Sequence, residues 1–296
     1  MFSLATTRWR RRVGVGLLAL ATATPVAQMI TGTAHADLNA ITDDTSVTAK
    51  TGSWFLSNVS EAAVKSALSL HNARLTNLKV DSVAPMRFTV TMVQNTGTYH
   101  VNAWWWDYGM NPGDIPNKAS YRKARLIDIE PYQVGPGGAA MYAGIMVDDT
   151  GAAQRDTKWF YATSTAGVNG IVAQGYRPTD LQSYDFGAGR FYAGVAVRNT
   201  GADAKAFWYY YNVSASSVAS YLSANKARLV SFQRRSADRY DVVMVAGQGE
   251  GWWWYYDQTQ ASVNSLLTAN KSRLIDVSRY MVNGSPRFAV VMLQNW

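Results

Sequence analysis

The chain has 296 residues, a formal charge of +8, no cysteine, and 11 tryptophans within a 12% aromatic content. Absence of cysteine excludes disulfides, thiolate metal sites and a lipid-attached cysteine, so stability must come from core burial, for which this length suffices. The charge is no nucleic-acid footprint, because part of it lies in a segment read as removed and the rest recurs at spaced positions rather than in runs.

Residues 1–36 read as a secretory signal peptide. Arg8, Arg10, Arg11 and Arg12 form a basic start, an apolar stretch follows from Val13 to about Ala23, and Ala34-His35-Ala36 is a small-residue cleavage pattern before Asp37. The apolar stretch is too short for a stable membrane span. Arg11-Arg12 leaves the general and the twin-arginine export routes open. Four of the 28 Lys and Arg residues fall in this segment and none of the 20 acids, so the mature balance drops from +8 to +4. Only His71 and His100 of the three histidines remain, far apart in sequence, which leaves little for histidine-based metal or triad chemistry. The expected product is secreted and extracellular, with no membrane association after cleavage, no nucleic-acid partner, no metal and no cofactor. Residues 37–52 form a lead-in.

From residue 53 onward the text repeats five times. Arg74, Arg125, Arg177, Arg228 and Arg273 stand 51, 52, 51 and 45 residues apart, within "NARLTNL", "KARLIDI", "GYRPTDL", "KARLVSF" and "KSRLIDV". About twenty residues upstream of each stands a tryptophan: Trp54, Trp105, Trp159, Trp208 and Trp253. In the third copy the gap is eighteen, read as a two-residue deletion. Each tryptophan opens a short aromatic strand. Segments such as "SVASYLSANKAR" and "SVNSLLTANKSR" then carry apolar residues at helical spacing behind a Ser, Thr or Asn entry. Two further strands follow, as in "RLIDV" and "RFAVVML". Turns such as "NTG" and "DTG" lead into the next tryptophan strand, and three contiguous strands are expected to run as a meander.

The fold class is therefore α/β, with five strand-helix-strand-strand repeats at about 53–103, 104–157, 158–206, 207–251 and 252–296, forming a single domain. One unit cannot bury its own faces, so the copies must pack on each other. A closed α/β-propeller-like ring with helices outside is favoured over an open solenoid. The terminal copies are no more polar than the central ones, and the last strand is free to pair with the first.

Three strings resemble serine-hydrolase motifs: Ser223-Ala-Asn-Lys226, Tyr210-Tyr211-Asn212 and Lys50-Thr51-Gly52. A lysine one turn after a serine can activate it, which makes Ser223, Lys226 and Tyr210 the catalytic alternative. Against this, Ser223 and Lys226 fall at the helix end of the repeat, where other copies carry Ser69/Asn72 and Thr268/Lys271, and the strings come in the wrong chain order. Asp128 and Glu130 are spaced to share a strand face, as a glycosidase pair could. Yet the Asp128 position reads Asn77, Asp128, Asp180, Ser231 and Asp276 across the copies, which fits neutralisation of a neighbouring arginine. The five arginines are read as structural, each closing a helix end and lying on a tryptophan face.

Aromatics that vary between copies are the ligand candidates. The position before the repeat tryptophan reads Ser53, Trp104, Lys158, Phe207 and Trp252, and the position two after it includes Tyr210 and Tyr255. Trp104, Trp252, Tyr210 and Tyr255 are thus candidate stacking platforms for sugars or peptide backbone.

The unit "WWWYYDQTQASVNSLLTANKSRLIDVSRYMVNGSPRFAVVMLQN" resembles the bacterial tandem repeat domain of secreted actinobacterial proteins, and is similar to the amino-terminal repeat region of polyglycine hydrolases. The resemblance covers about residues 50–296, and the third copy, with Pro178 after its arginine, departs most. In those hydrolases the chemistry resides in a β-lactamase-like domain that is absent here. The resemblance implies a repeat module without its enzyme. The export signal and the surplus aromatics lead to the expectation of a non-catalytic module binding an extracellular glycan, a cell-wall peptide or a protein, a separately encoded hydrolase among them.

Overall fold

The computed structural model describes residues 47–133, 139–187 and 189–295. The export segment 1–36 and residues 37–46 of the lead-in lie outside the described residues. The described chain forms five repeats, each a three-stranded antiparallel sheet with one helix. The first comprises β1 (Ser53–Val59), α1 (Glu61–His71), β2 (Ala73–Val83) and β3 (Met86–Gln94). The second comprises β4 (Trp104–Met110), α2 (Asp114–Arg122), β5 (Ala124–Gln133) and β6 (Ala140–Asp148). The third comprises β7 (Thr157–Thr163), α3 (Thr165–Ala173), β8 (Tyr176–Phe186) and β9 (Gly189–Arg198). The fourth comprises β10 (Phe207–Val213), α4 (Ala215–Ala224), β11 (Ala227–Ser236) and β12 (Arg239–Ala246). The fifth comprises β13 (Trp252–Gln258), α5 (Gln260–Ala269), β14 (Ser272–Val282) and β15 (Ser285–Gln294).

The element order matches expectation, but the meander does not. Within each repeat the last strand lies in the middle, in the order β1-β3-β2, and the strand after the "NTG" turn starts a new sheet. The physical reason is the turn itself. Gly97–Tyr99, Gly151–Ala153 and Gly201–Asp203 form single 3₁₀ turns, and the residue two places before each turn clamps the chain beyond it. Asn95 accepts from Val101 N–H at 2.8 Å and donates to its carbonyl at 3.1 Å, and Asn199 treats Lys205 the same way at 2.9 Å and 2.9 Å. Asp149 makes the accepting half of this clamp, to Arg155 N–H at 2.8 Å. A clamped corner displaces the chain to the next sheet instead of folding it back.

The repeat arginines sit on the inner strands, and their task is to hold these corners. Arg74 Nε donates to the Tyr99 carbonyl at 3.0 Å, Arg125 to the carbonyls of Asp148 (3.1 Å) and Ala153 (3.3 Å), and Arg177 to Asn199 Oδ1 at 3.2 Å. Arg228 pairs with Glu250 at the fourth corner. Arg273 donates to the Val47 carbonyl at 2.8 Å and lies over the Tyr99 ring at 5.1 Å. All five are buried. The expected helix-end and tryptophan-face role is thus replaced by corner binding; a buried guanidinium, with five donors, satisfies carbonyls that a turn leaves unpaired.

Helix ends have a simpler local cause. Ser60, Ser164, Ser214 and Thr259 cap the N-termini by accepting a backbone N–H from the first turn. At the other end Asn72, Lys123, Gly175, Lys226 and Lys271, each two residues before a repeat arginine, adopt positive φ and stop the helix. Each outer strand also bulges one residue before its end, at Asn58, Gly109, Ala162, Asn212 and Asp257, all with positive φ. The freed N–H is satisfied from the inner strand by Asp81, Tyr132, Tyr184, Asp241 (on β12) and Tyr280 respectively, where Asp241 alone comes from the middle strand.

These bulges align the repeats and correct one assignment. Trp54, Trp105, Trp208 and Trp253 pair with Met92, Met146, Met244 and Met292. In the third repeat the partner of that slot, Ala196, faces Lys158, and Trp159 lies one place further along, opposite Val195. Trp159 therefore corresponds to Phe55, Trp106, Tyr209 and Trp254, and the third outer strand starts at Thr157. The gap of eighteen arises from this one-place shift together with one residue fewer between strand and arginine.

Each apolar cluster combines one repeat with strand residues of the next. Trp104 and Trp106 pack on the core of the first repeat, Trp159 on the second, Tyr209 and Phe207 on the third, and Trp252 and Trp254 on the fourth. Phe55 of the first repeat packs on the core of the fifth. The edge-to-face contact of Phe55 with Phe288, at 5.4 Å, matches that of Trp106 with Phe88, also at 5.4 Å. Middle strands are buried on both faces, as "FAVVML" in β15 requires of a strand lying between two packed layers.

Candidate functional site

The most unusual chemistry is a buried polar hub built from the third residue after each repeat arginine. Asp128 accepts from Leu78 N–H at 3.2 Å, Asp180 from Ile129 N–H at 2.9 Å, and Asp276 from Phe232 N–H at 2.6 Å. Ser231 donates to the Leu181 carbonyl at 3.5 Å. Asn77 donates to both Asp128, at 3.0 Å, and Asp276, at 3.2 Å. Each repeat thereby holds the inner strand of the repeat before it, and Asn77 touches the second repeat and the fifth together. Asp128 serves this backbone contact rather than the neutralisation of a repeat arginine.

One cation sits among these acids. Lys79 Nζ pairs with Glu130 at 3.1 Å; Lys79 is buried and the Glu130 side chain is 15% exposed. Burial disfavours the ammonium, but Glu130, Asp128, Asp180 and Asp276 together hold it above its ordinary value. Burial lifts Glu130 to about 7 against the pull of Lys79, and lifts Asp276 to about 6. Burial also raises Asp128 and Asp180, and for Asp128 the neighbouring Asp180 carboxylate adds to the effect. Asp128 and Glu130 are spaced as expected, but Asp128 is buried against the Leu78 N–H and Glu130 is paired with Lys79, so their chemistry is cohesive.

The predicted ligand aromatics are drawn into packing. Trp104 and Trp252 are half-buried wedges against the preceding repeat, and Phe207 at the same position is fully buried. Variation along the repeat therefore tracks differences between joints instead of solvent exposure. Tyr210 stacks on Tyr221 at 4.0 Å and accepts from Asn225 at 3.2 Å; Tyr255 accepts from Asn270 at 3.1 Å. Both tyrosines tie the outer strand to the end of the neighbouring helix.

The hydrolase strings have structural uses in three different places. Ser223 and Lys226 are exposed at the end of α4, where the Lys226 N–H returns to the Ser223 carbonyl at 3.3 Å and its positive φ ends the helix. Asn212 is a bulge residue, at the end of the sheet opposite the corners. Thr51 is clamped by Asn295, with 2.9 Å in each direction.

Exposed large hydrophobics stand in two places: Leu70 (78% exposed) and Tyr121 (90%) near the ends of α1 and α2, and four at the hairpin end of the repeats, opposite the 3₁₀ corners. Tyr161 (41% exposed), Tyr256 (40%), Phe186 (37%) and Met281 (52%) lie at the hairpin end. Tyr161 stacks on Trp159 at 5.3 Å, and Tyr256 lies 5.9 Å from Trp254. Arginine is the cation of this end: Arg190 pairs with Asp185, Arg234 lies over the Tyr280 ring at 4.1 Å, and Arg239 is exposed. In the sequence Phe186 and Met281 stand beside inner hairpins, and Tyr161 and Tyr256 directly precede the bulge residues of their outer strands.

Among the described residues no group of His, Cys, Asp and Glu is placed to hold a metal ion, and no helix is long and apolar enough to cross a membrane. No curated protein matches the chain. The family model described as polyglycine hydrolase-like, structural repeat, matches residues 166–199 and 249–295. The first match runs from α3 through β9, within the copy whose sequence departs most from the others, and the second takes in all of the fifth repeat. Two of the five tandem copies thus match the polyglycine hydrolase-like structural repeat.

Proposed function

We propose that the chain is an exported, non-catalytic module whose repeats close into an α/β-propeller-like ring with the polar hub at its centre. Export is read from the basic, apolar and small-residue pattern of residues 1–36. Closure is supported by the relation of the fifth repeat to the first, which repeats that of neighbours along the chain: Asn77 with Asp276, Phe55 with Phe288, and Asn295 with Thr51. An open solenoid leaves these groups without such partners.

The ring binds an extracellular polymer, a cell-wall glycan or peptide, through its hairpin end. The observation that carries this reading is the exposure there of Tyr161, Tyr256, Phe186 and Met281 beside arginines. Aromatic faces stack on sugar rings, and guanidinium groups add hydrogen bonds and charge. Retention on peptidoglycan, chitin, cellulose and Gly-rich peptide resins tests it. Retention on one of them, lost in Tyr161→Ala/Tyr256→Ala with folding intact, is expected. Failure on all of them, or capture of a protein from culture medium with no polymer bound, overturns the polymer reading. Labelling by a serine-reactive probe that disappears in Ser223→Ala would overturn the non-catalytic one.

A further inference from the structure

A cleft of about 330 Å³ opens between the second and third repeats, and comparison among the repeats shows why it is there. At three joints the first residue of the outer strand is an aromatic ring driven into the core of the preceding repeat: Trp104, Phe207 and Trp252. Each shares its cluster with a branched aliphatic of the preceding helix, Leu68, Val172 and Leu222 in turn. At the joint of the second and third repeats the ring position is Thr157 and the helix position is Ala119, and both line the cleft. The joint of the fifth and first repeats has Ser53 at the ring position but keeps Leu267 on the helix. Only between the second and third repeats are both bulky groups replaced by small ones.

The walls suit an aromatic guest. Pro116, Leu126 and Trp159 supply apolar surface, and the volume lies at the lower end of the range for small-ligand sites, about 300–1,000 Å³. Around them stand Arg125, Arg155 and Lys158 against Asp149 and Asp156. Both carboxylates are already engaged. Asp149 meets Arg125 at 3.5 Å and Arg155 N–H at 2.8 Å; Asp156 meets Arg198 at 2.9 Å and the Tyr176 hydroxyl at 2.7 Å. Arg155 is paired with Asp203 at 3.3 Å, whereas Lys158 donates only to the neutral side-chain carbonyl of Gln174. The positive charge of Lys158 therefore favours an anion beside the ring.

We infer that this cleft is an aromatic socket for an acidic peptide segment: an indole or phenyl side chain enters the space that Trp104, Phe207 and Trp252 fill at the other joints. A carboxylate of the same segment lies beside Lys158. The socket is independent of the hairpin end, so each reading stands or falls alone.

Titration with N-acetyl-tryptophan and with N-acetyl-tryptophan amide, followed by calorimetry, tests it. Saturable binding is expected, tighter for the acid than for the amide. Thr157→Phe/Ala119→Leu, which restores the residues of the other joints, should weaken both probes by at least about tenfold, the scale of burying one large apolar group, while raising Tm. If the double variant fails to fold, Ala119→Leu alone carries the same expectation in weaker form. Lys158→Gln should remove the advantage of the acid and leave amide binding unchanged, and Tyr256→Ala should alter neither. No binding of either probe, or binding unchanged in the filled variant, overturns the socket.

Discussion

Asn295 and Thr51, 244 residues apart, exchange two hydrogen bonds of 2.9 Å, the Asn295 carbonyl oxygen accepting from the Thr51 N–H and its amide donating to the Thr51 carbonyl. Asn95 and Asn199 make the same pair of bonds to residues six further along the chain. The lead-in therefore occupies, beside the fifth repeat, the place that a covalent linker occupies at other corners. Val47 extends the likeness by accepting from Arg273. Replacement Asn295→Ala leaves two backbone groups of Thr51 unsatisfied and should cost about 1–3 kcal/mol. Asn295→Asp, which keeps the accepting half as Asp149 does, should cost less. Urea melts of the three proteins check this order. Equal stability of all three would remove the seam from the list of stabilising contacts, and deletion of residues 252–296 should then shorten the fold without unfolding it.

The hub makes stability depend on pH in a direction opposite to that of paired surface carboxylates. Glu130 and Asp276 have folded pKa values of about 7 and about 6, above their ordinary values of 4.5 and 3.8. The folded state thus binds more protons than the unfolded state between about pH 4 and pH 7. Stability from these groups is full below the ordinary carboxylate range and is lost as pH rises through 6 and 7, by about 3 kcal/mol for each group acting alone. Tm measured from pH 4.5 to pH 8 should fall across this window and level off above it. A flat or rising profile would contradict the upward shift that burial gives Glu130 and Asp276.

Lys79 supplies the one positive charge among four acids. Lys79→Met should cost about 3–5 kcal/mol at pH 7.5, because it leaves the largely buried Glu130 without its partner. At pH 5 the loss should be much smaller, since protonated carboxyls no longer need the ammonium. The readout is the difference between the two pH values. An equal loss at both would mean that Lys79 acts through packing of its alkyl stem and not through charge.

Sequence periodicity made much of this architecture legible, and its failures have identifiable causes. Five arginines at near-constant spacing marked five inner strands, and the helix caps Ser60, Ser164, Ser214 and Thr259 marked the helix starts. The sheet order was not legible, because "NTG" reads as a hairpin turn until the Asn95 clamp is seen to form a corner. Lys158 hid in plain text, because alignment by the conspicuous Trp159 conceals a one-place shift that only strand register and the bulge at Ala162 reveal. The hub was half legible. The series Asn77, Asp128, Asp180, Ser231 and Asp276 stood out, but its partner, the backbone of the preceding repeat, is a tertiary fact. Trp104 and Trp252 misled for a different reason: variation among copies reflects unequal joints, since each joint is packed by a different pair of repeats.

The third repeat shows how closely strands within one repeat can be set. Gly194 on β9 pairs with Phe160 on β7 and Leu181 on β8, at a position that Val90, Val242 and Val290 occupy in other repeats. A Cβ at Gly194 would lie 2.2 Å from the Asp180 carbonyl oxygen and 2.6 Å from Phe160 Cζ. The phenyl ring can turn aside, but the carbonyl belongs to the strand that carries the hub. Gly194→Ala should therefore cost about 3 kcal/mol, near the top of the usual range for overpacking. Gly144→Ala, whose nearest neighbours are the movable Leu126 Cδ2 at 2.9 Å and the Asp128 carbonyl at 3.0 Å, should cost less. Adding Phe160→Leu to Gly194→Ala should relieve only part of the loss, because the contact with Asp180 remains. Thermal melts of the two glycine variants and the double variant decide the matter. Full recovery in the double variant would mean that the inner strand yields at Asp180, and that the hub is more compliant than its buried hydrogen bonds imply.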